Sequence, residues 1–315
     1  MQNTTASANS SFSLTDGLPF RALLSMTPCF LFLYLNIVMM FTLRSKAIFC
    51  ETPRYILFGG LLLSDSLQLA FTSVFYILYS STFDEATLNI VSYVCFLLYL
   101  ITRVTNNLLS PVFLALMSLE RYVAICHPLR HAAIVNRSRT TVIVAVVWFM
   151  GLINWSADLT QNLVQSPASS CSDFIVSQTQ LSYIISQSFT GAVFASVSVV
   201  VVYTYISVSV TARSATSDKA SIRKARKTVV LHMIQLGLYL VSLLFGVLRR
   251  SLAMSGLNPV TLELIAYALF ICLNILPRCL SPLIYGVRDK TFSAFFKYNF
   301  LFCVKNKVQP TVCEI

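Results

Sequence analysis

The chain is 315 residues long, 56% hydrophobic and only 11% charged, with a formal net charge of +11. A soluble domain is roughly 45–50% apolar and about 25% charged, so this composition excludes an ordinary water-soluble globule and requires a bilayer. The excess cations lie at the ends of apolar runs, which marks them as inner-leaflet retention charge and excludes a nucleic-acid partner as their origin.

A helix crossing a hydrocarbon core needs about 20 mostly apolar residues, because every backbone polar group must be satisfied within the segment. Stretches near 22–43, 55–80, 92–125, 140–158, 181–211, 226–250 and 262–287 qualify. The predicted fold class is an all-α membrane protein, a seven-transmembrane helix bundle followed by a short amphipathic helix. Three regions follow: a tail over 1–21, a transmembrane domain over 22–287, and an amphipathic helix and tail over 288–315.

The first twenty residues are polar, with neither a basic start nor an apolar core, so the first span is expected to act as its own insertion signal. With the tail outside, all of the 23 Lys and Arg residues except Arg21, Arg103, Arg249, Arg250 and Arg278 fall on the inner side. Asn3 and Asn9 then head sequons in an extracellular tail, while the sequon at Asn136 is a chance match on the inner side. No Cys or His spacing suits a metal, and no motif points to a cofactor.

The second span carries a lone carboxylate, Asp65, and the seventh a lone guanidinium, Arg278, about 10 Å above Tyr285 on a similar face. Two buried opposite charges at one depth are expected to pair, with Asn36 of the first span as a third member. The alternative is that Arg278 reaches a backbone carbonyl and Asp65 stays protonated. The third span ends in LMSLERYVAICHPLRHA, residues 116–132, where Glu120 and Arg121 interrupt an apolar run that then resumes. Glu120 can bend back onto Arg121, and an Arg so held can exchange partners, as a two-state switch needs.

The stretch MSLERYVAICHPLRHA resembles the signature of rhodopsin-like G-protein-coupled receptors, and of odorant receptors in particular, whose corresponding stretch reads close to MAYDRYVAICHPLRY. TPRYILFGGLLLSDSLQL resembles the second helix of that family and PRCLSPLIYGVRDKTF its seventh; the combined wording is most similar to fish-type odorant receptors. The resemblance implies a receptor rather than an enzyme, at the plasma membrane of olfactory sensory neurons. It implies as partners a small-molecule odorant, a heterotrimeric G protein of the stimulatory type that raises cAMP, and membrane lipid. It further implies a switch at Glu120, Arg121, Tyr122, Tyr205, Ser281, Pro282 and Tyr285, although Ser281 stands where the family usually has Asn. In the wider superfamily the counterpart of Asp65 helps hold sodium; here Arg278 is expected in the cation's place.

The same resemblance implies a disulfide between Cys95 and Cys171. The interval from Cys95 to Arg121 is one residue longer than the family's, so an irregularity in the third helix is expected near Pro111. Trp148 matches a family tryptophan and is explained by packing alone. After the seventh span, RDKTFSAFFKYNFLFC alternates cations and aromatics in helical fashion, with Cys303 as a palmitoylation candidate.

Receptors of this fold open outward between the third, fifth, sixth and seventh spans. Arg103 lies five helical turns, about 27 Å, from Arg121, at pocket depth, with Asn106 and Asn107 a turn below. One reading has Arg103, helped by Arg249 or Arg250, holding an anionic group of the odorant. The other pairs Arg103 with Asp84, Glu85, Asp158, Asp173 or Glu263, or lets it reach outward to water. Phe189, Val193, Tyr267, Ile271 and Ile275 are candidates for an apolar lining.

Other classes fit less well. Retinal needs a seventh-span lysine, and none lies between Lys227 and Lys290. An insect-type channel would place the amino terminus inside, a transporter would show repeats, and an intramembrane enzyme would need paired catalytic groups. The remaining alternative is a rhodopsin-like receptor for a lipid, steroid or peptide.

Overall fold

The computed structural model describes residues 18–80, 85–163, 180–214, 230, 233–234, 237–238, 248, 252, 258–276, 278–279, 292 and 295–296. Helix α1 spans Leu18–Arg44, α2 Ala47–Glu51, α3 Pro53–Ser80 and α4 Glu85–Val104. A π turn at Thr105–Leu109 joins α4 to α5, Ser110–Cys126, and a short α6 covers His131–Ile134. Helix α7 spans Arg137–Leu163, α8 Gln180–Ser214 and α9 Pro259–Phe270, which runs into a second π turn at Ile271–Ile275.

Among the described residues five helical stretches are long and apolar enough to cross a membrane: Met26–Arg44, Pro53–Leu78, Ile90–Cys126, Arg137–Thr160 and Gln187–Thr211. Each overlaps a span expected from hydropathy. Most of the expected sixth span, 226–250, and of the seventh beyond Cys279 lies outside the described residues, and the apolar helix Leu264–Ile275 is the described part of the seventh.

The third span is the strut of the bundle. Its membrane window is 56% buried, against 17% for the fourth, whose apolar side chains mostly face outward. Helix α3 packs on α1, α4, α5 and α7, and α5 packs on α8. The principal core gathers Phe58, Leu61, Phe113, Leu114, Phe194 and Val201, with Trp148 against its edge at 6.4 Å from the Phe113 ring.

Close approach of α3 to α5 depends on Gly60. A Cβ there would lie 2.6 Å from Phe113 Cε1, inside a ring that is fully buried, whereas a Cβ at Gly59 would meet Leu43 at an ordinary 3.8 Å. Gly60→Ala is therefore expected to destabilise by roughly 1–3 kcal/mol through overpacking, with Gly59→Ala close to wild type. Melting curves of the two purified variants check this, and equal midpoints would show that the ring yields freely.

The irregularity expected near Pro111 is the first π turn, in which the Ser110 N–H donates to the Thr105 carbonyl five residues back. A proline has no N–H, and its ring clashes with the carbonyl four residues earlier; widening the preceding turn by one residue relieves both. The second π turn has the same register: Leu276 N–H donates to Ile271, and Pro277 follows one residue later, as Pro111 follows Ser110.

The third span ends where Pro128 forces its predecessor out of helical geometry, and His127 sits at φ −133°, ψ 55°. Asn136 then starts α7, its side-chain oxygen accepting the Arg139 N–H at 2.9 Å. At this end of the bundle Phe292 is fully buried, its ring 5.6 Å from Phe49 and 5.9 Å from Phe58. Phe292, Phe295 and Phe296 share a helical face, so the expected amphipathic helix turns at least these aromatics onto α2 and α3 rather than onto lipid alone.

Candidate functional site

The polar centre of the bundle is built on Asp65 and Arg278, both fully buried. Arg278 Nη1 donates to Asp65 Oδ1 at 2.8 Å and also lies 3.1 Å from Ser110 Oγ. Ser110 Oγ donates to Asp65 Oδ1 at 3.0 Å and exchanges a hydrogen bond with Ser64 at 3.1 Å. Arg278 Nη2 donates to Asn106 Oδ1 at 2.5 Å. An ion pair without water contact is tolerable only when its remaining hydrogen-bonding capacity is met, and these groups meet much of it. One turn further along, Thr105 donates to the Gln68 side-chain oxygen.

Asn36 is a correction. It is fully buried on α1, but neither of its amide atoms has a hydrogen-bond partner among the described residues, and Asn106 and Ser110 take the place expected for it. Position within a run of apolar residues could not reveal this. Asn106 and Ser110 are four residues apart and share the face of the third span that meets Arg278.

At the other functional end, Arg121 Nε stands 2.7 Å from Glu120 Oε2. Glu120 Oε1 has a second neighbour, the imidazole of His131, whose Nε2 lies at 3.6 Å. Sequence reading missed His131 because Pro128 ends the helix and brings α6 back beneath Glu120, a return that no helical spacing encodes. Tyr122 contacts His127, its hydroxyl 3.2 Å from Nε2, and its ring centre is 5.7 Å from that of Tyr203. Tyr203 was not singled out, and Tyr205, which was, lies half-buried on the same helix. Ser281, Pro282 and Tyr285 lie outside the described residues.

Near Arg103 a cavity of about 150 Å³ opens between the third, fourth and fifth spans, lined among others by Asn107, Asn154, Asp158, Phe189 and Thr190. Its wall holds an ion pair, Arg103 Nη2 to Asp158 Oδ1 at 3.3 Å, with side chains only 14% and 9% exposed. Of the two readings of Arg103, the contact agrees with pairing: among the carboxylates considered, Asp158 on α7 meets Arg103.

Several other lining candidates have different neighbours among the described residues. Asn106 turns to Arg278, and Val193 packs on the principal core. Ile275 is buried in a second core with Met26, Cys29, Leu69 and Cys279, and Ile271 packs against it. Tyr267 is half-buried on α9 and is not among the residues lining the cavity. Phe189 and Asn107 do line it. Asn154 and Thr190 were missed, since nothing in an apolar run distinguishes a polar residue facing a cavity from one bonded to its own helix.

Cys95 is fully buried and disulfide-bonded. Arg250, Cys171, Cys303, Asn3 and Asn9 lie outside the described residues.

Residues 35–285 match the family model for the seven-transmembrane receptors of the rhodopsin family. The chain is 30% identical to Odorant receptor 131-2 of Danio rerio over 293 residues, covering 89% of this chain and 86% of the relative. It is 28% identical over 195 residues to the human Olfactory receptor 8A1, with 58% and 56% covered, and 29% identical over 195 residues to the human Olfactory receptor 4K15, with 58% and 57% covered.

Proposed function

Because the chain belongs to the rhodopsin family of seven-transmembrane receptors, we propose that it is an odorant receptor, binding a small molecule from outside the cell and activating a heterotrimeric G protein of the stimulatory type. The observation that carries this reading is the likeness to a fish odorant receptor along nearly the whole of both chains. Cation placement supports an extracellular amino terminus, with the Arg121 end in the cytoplasm of an olfactory sensory neuron. In this orientation Asn3 and Asn9 are glycosylation sites, Cys171 is the partner of Cys95, and Cys303 is a lipidation site.

The mechanism is a shift between two arrangements. In one, Glu120 holds Arg121 across 2.7 Å and the G-protein cleft is closed. In the other, Arg121 leaves Glu120 and the inner end of the sixth helix moves outward, aided by Tyr122, Tyr205 and the Ser281, Pro282, Tyr285 segment. Asp65 and Arg278, linking three spans at mid-bundle, carry the bias of an occupied ligand site toward that end. The ligand acts only through its preference for the second arrangement, at about 1.4 kcal/mol per tenfold shift.

The test is a cAMP measurement on cells displaying the receptor, challenged with amino acids, organic acids, amines, steroids and neutral volatiles. A saturable rise for at least one small molecule is expected, together with strong, sparse expression in olfactory sensory neurons. Expression confined to other tissue, with responses only to steroid or lipid, would replace the odorant with another ligand.

A further inference from the structure

The two neighbouring asparagines of the first π turn face different ways. Asn107 lines the cavity, whereas Asn106 reaches Arg278, and the two are joined by a hydrogen bond from Asn106 Nδ2 to Asn107 Oδ1 at 3.0 Å. The direction of that bond is forced. A guanidinium is donor-only, so Asn106 must turn its oxygen to Arg278 and its NH₂ to Asn107, which in turn must present its own oxygen. Asn107 keeps its NH₂ and the second lone pair of that oxygen for whatever occupies the cavity.

We propose that this cavity binds a small uncharged molecule, a single ring bearing a hydroxyl or primary amide, and that Asn107 reads the polar group and relays occupancy through Asn106 to Arg278. The proposal deepens the receptor reading and rests on it for the relay. Size follows from the volume: a cavity of about 150 Å³ admits one benzene-sized ring. Charge follows from the Arg103–Asp158 pair. An incoming carboxylate would set a second negative charge beside Asp158 in a poorly solvated wall, and an incoming ammonium a second positive charge beside Arg103, each leaving a net charge that the pair does not balance. A neutral donor and acceptor leaves the pair intact and finds Asn107, Asn154 and Thr190 for its head and Phe189 for its ring.

The relay is a matter of competition. A ligand hydroxyl donating to Asn107 Oδ1 shares the acceptor used by Asn106, and any turn of Asn106 alters the bond it receives from Arg278.

The purified full-length receptor is to be melted with benzyl alcohol, benzamide, benzoate and benzylammonium, and cAMP measured for the same four probes on cells. The neutral pair is expected to raise the melting temperature saturably and the charged pair not to. Ala157→Phe, which fills the cavity without touching the hydrogen-bonded chain, should abolish the shift while melting normally without ligand. Asn107→Leu should weaken neutral binding about tenfold, the loss of roughly one hydrogen bond. Asn106→Leu should leave binding in place and remove the cAMP response. The proposal is overturned if benzoate binds as well as benzyl alcohol, if neither neutral probe shifts the melt, or if Ala157→Phe binds normally; full cAMP response in Asn106→Leu overturns the relay. Probe binding without cAMP in the unmodified receptor overturns the signalling reading and leaves the site standing, whereas cAMP responses to other molecules with no binding of these probes overturn the site alone.

Discussion

Arg278→Leu is expected to remove the protein from the cell surface. The substitution takes from Asp65, which has no exposed surface, the guanidinium that stood at 2.8 Å, while the Ser110 hydroxyl still donates to it. Breaking a buried pair from one side costs roughly 3–5 kcal/mol, a large part of the stability of most domains. Asp65→Leu should fail as badly, because it takes the carboxylate from a guanidinium that is itself fully buried. The double variant Asp65→Leu/Arg278→Leu should recover much of the surface display, since apolar groups in place of a whole buried pair are close to neutral. Its ligand response should stay low, because the link from Asn106 to the centre of the bundle is gone. Surface labelling of a tagged receptor and its melting temperature in detergent measure these effects. Wild-type display and response in Arg278→Leu alone would show that the pair supports neither folding nor coupling.

The second large effect is expected at the Arg121 end. Arg121→Ala should eliminate ligand-driven cAMP while leaving ligand-induced thermal stabilisation intact, since the residue is remote from the cavity and, in the proposed mechanism, meets the G protein. Glu120→Gln should act in the opposite sense and raise basal cAMP, because Arg121 loses the carboxylate that holds it at 2.7 Å and His131 loses the same anchor. If the pair favours the closed arrangement by about 1.4 kcal/mol, basal activity rises about tenfold. The Glu120 side chain is only 7% exposed, so solvent screening weakens the pair less than at a surface. Basal cAMP at or below wild type in Glu120→Gln, at equal surface density, would remove the latch from the mechanism.

The three features at the heart of these expectations differ in how far the residues alone reveal them. A carboxylate and a guanidinium lying singly in two apolar runs are each too costly to bury unpaired, so Asp65 and Arg278 point to one another before any coordinates are known. Glu120 and Arg121 are adjacent, and their contact is local. The Arg103–Asp158 pair is of another kind. Arg103 had several carboxylates within plausible reach, and the choice of Asp158 depended on how α4 and α7 are rotated about their axes, which apolar composition leaves open when a lipid-facing and a core-facing Leu read alike.

Hydropathy, cation placement and the ERYVAICHPLRHA and SPLIYGVRD stretches sufficed for the membrane, the helical bundle and the family, because these depend on composition, on local spacing and on runs of residues read in order. Rotation about the helix axis is what they leave undetermined. Two π turns, each set one residue ahead of a residue followed by proline, shift the register of the third and seventh spans. At that register Asn106 meets Arg278 and Asn107 lines the cavity, while Asn36 on the first span has no described partner. Which polar side chains meet across a bundle is a property of packing between segments far apart in the chain, and only the assembled helices resolve it.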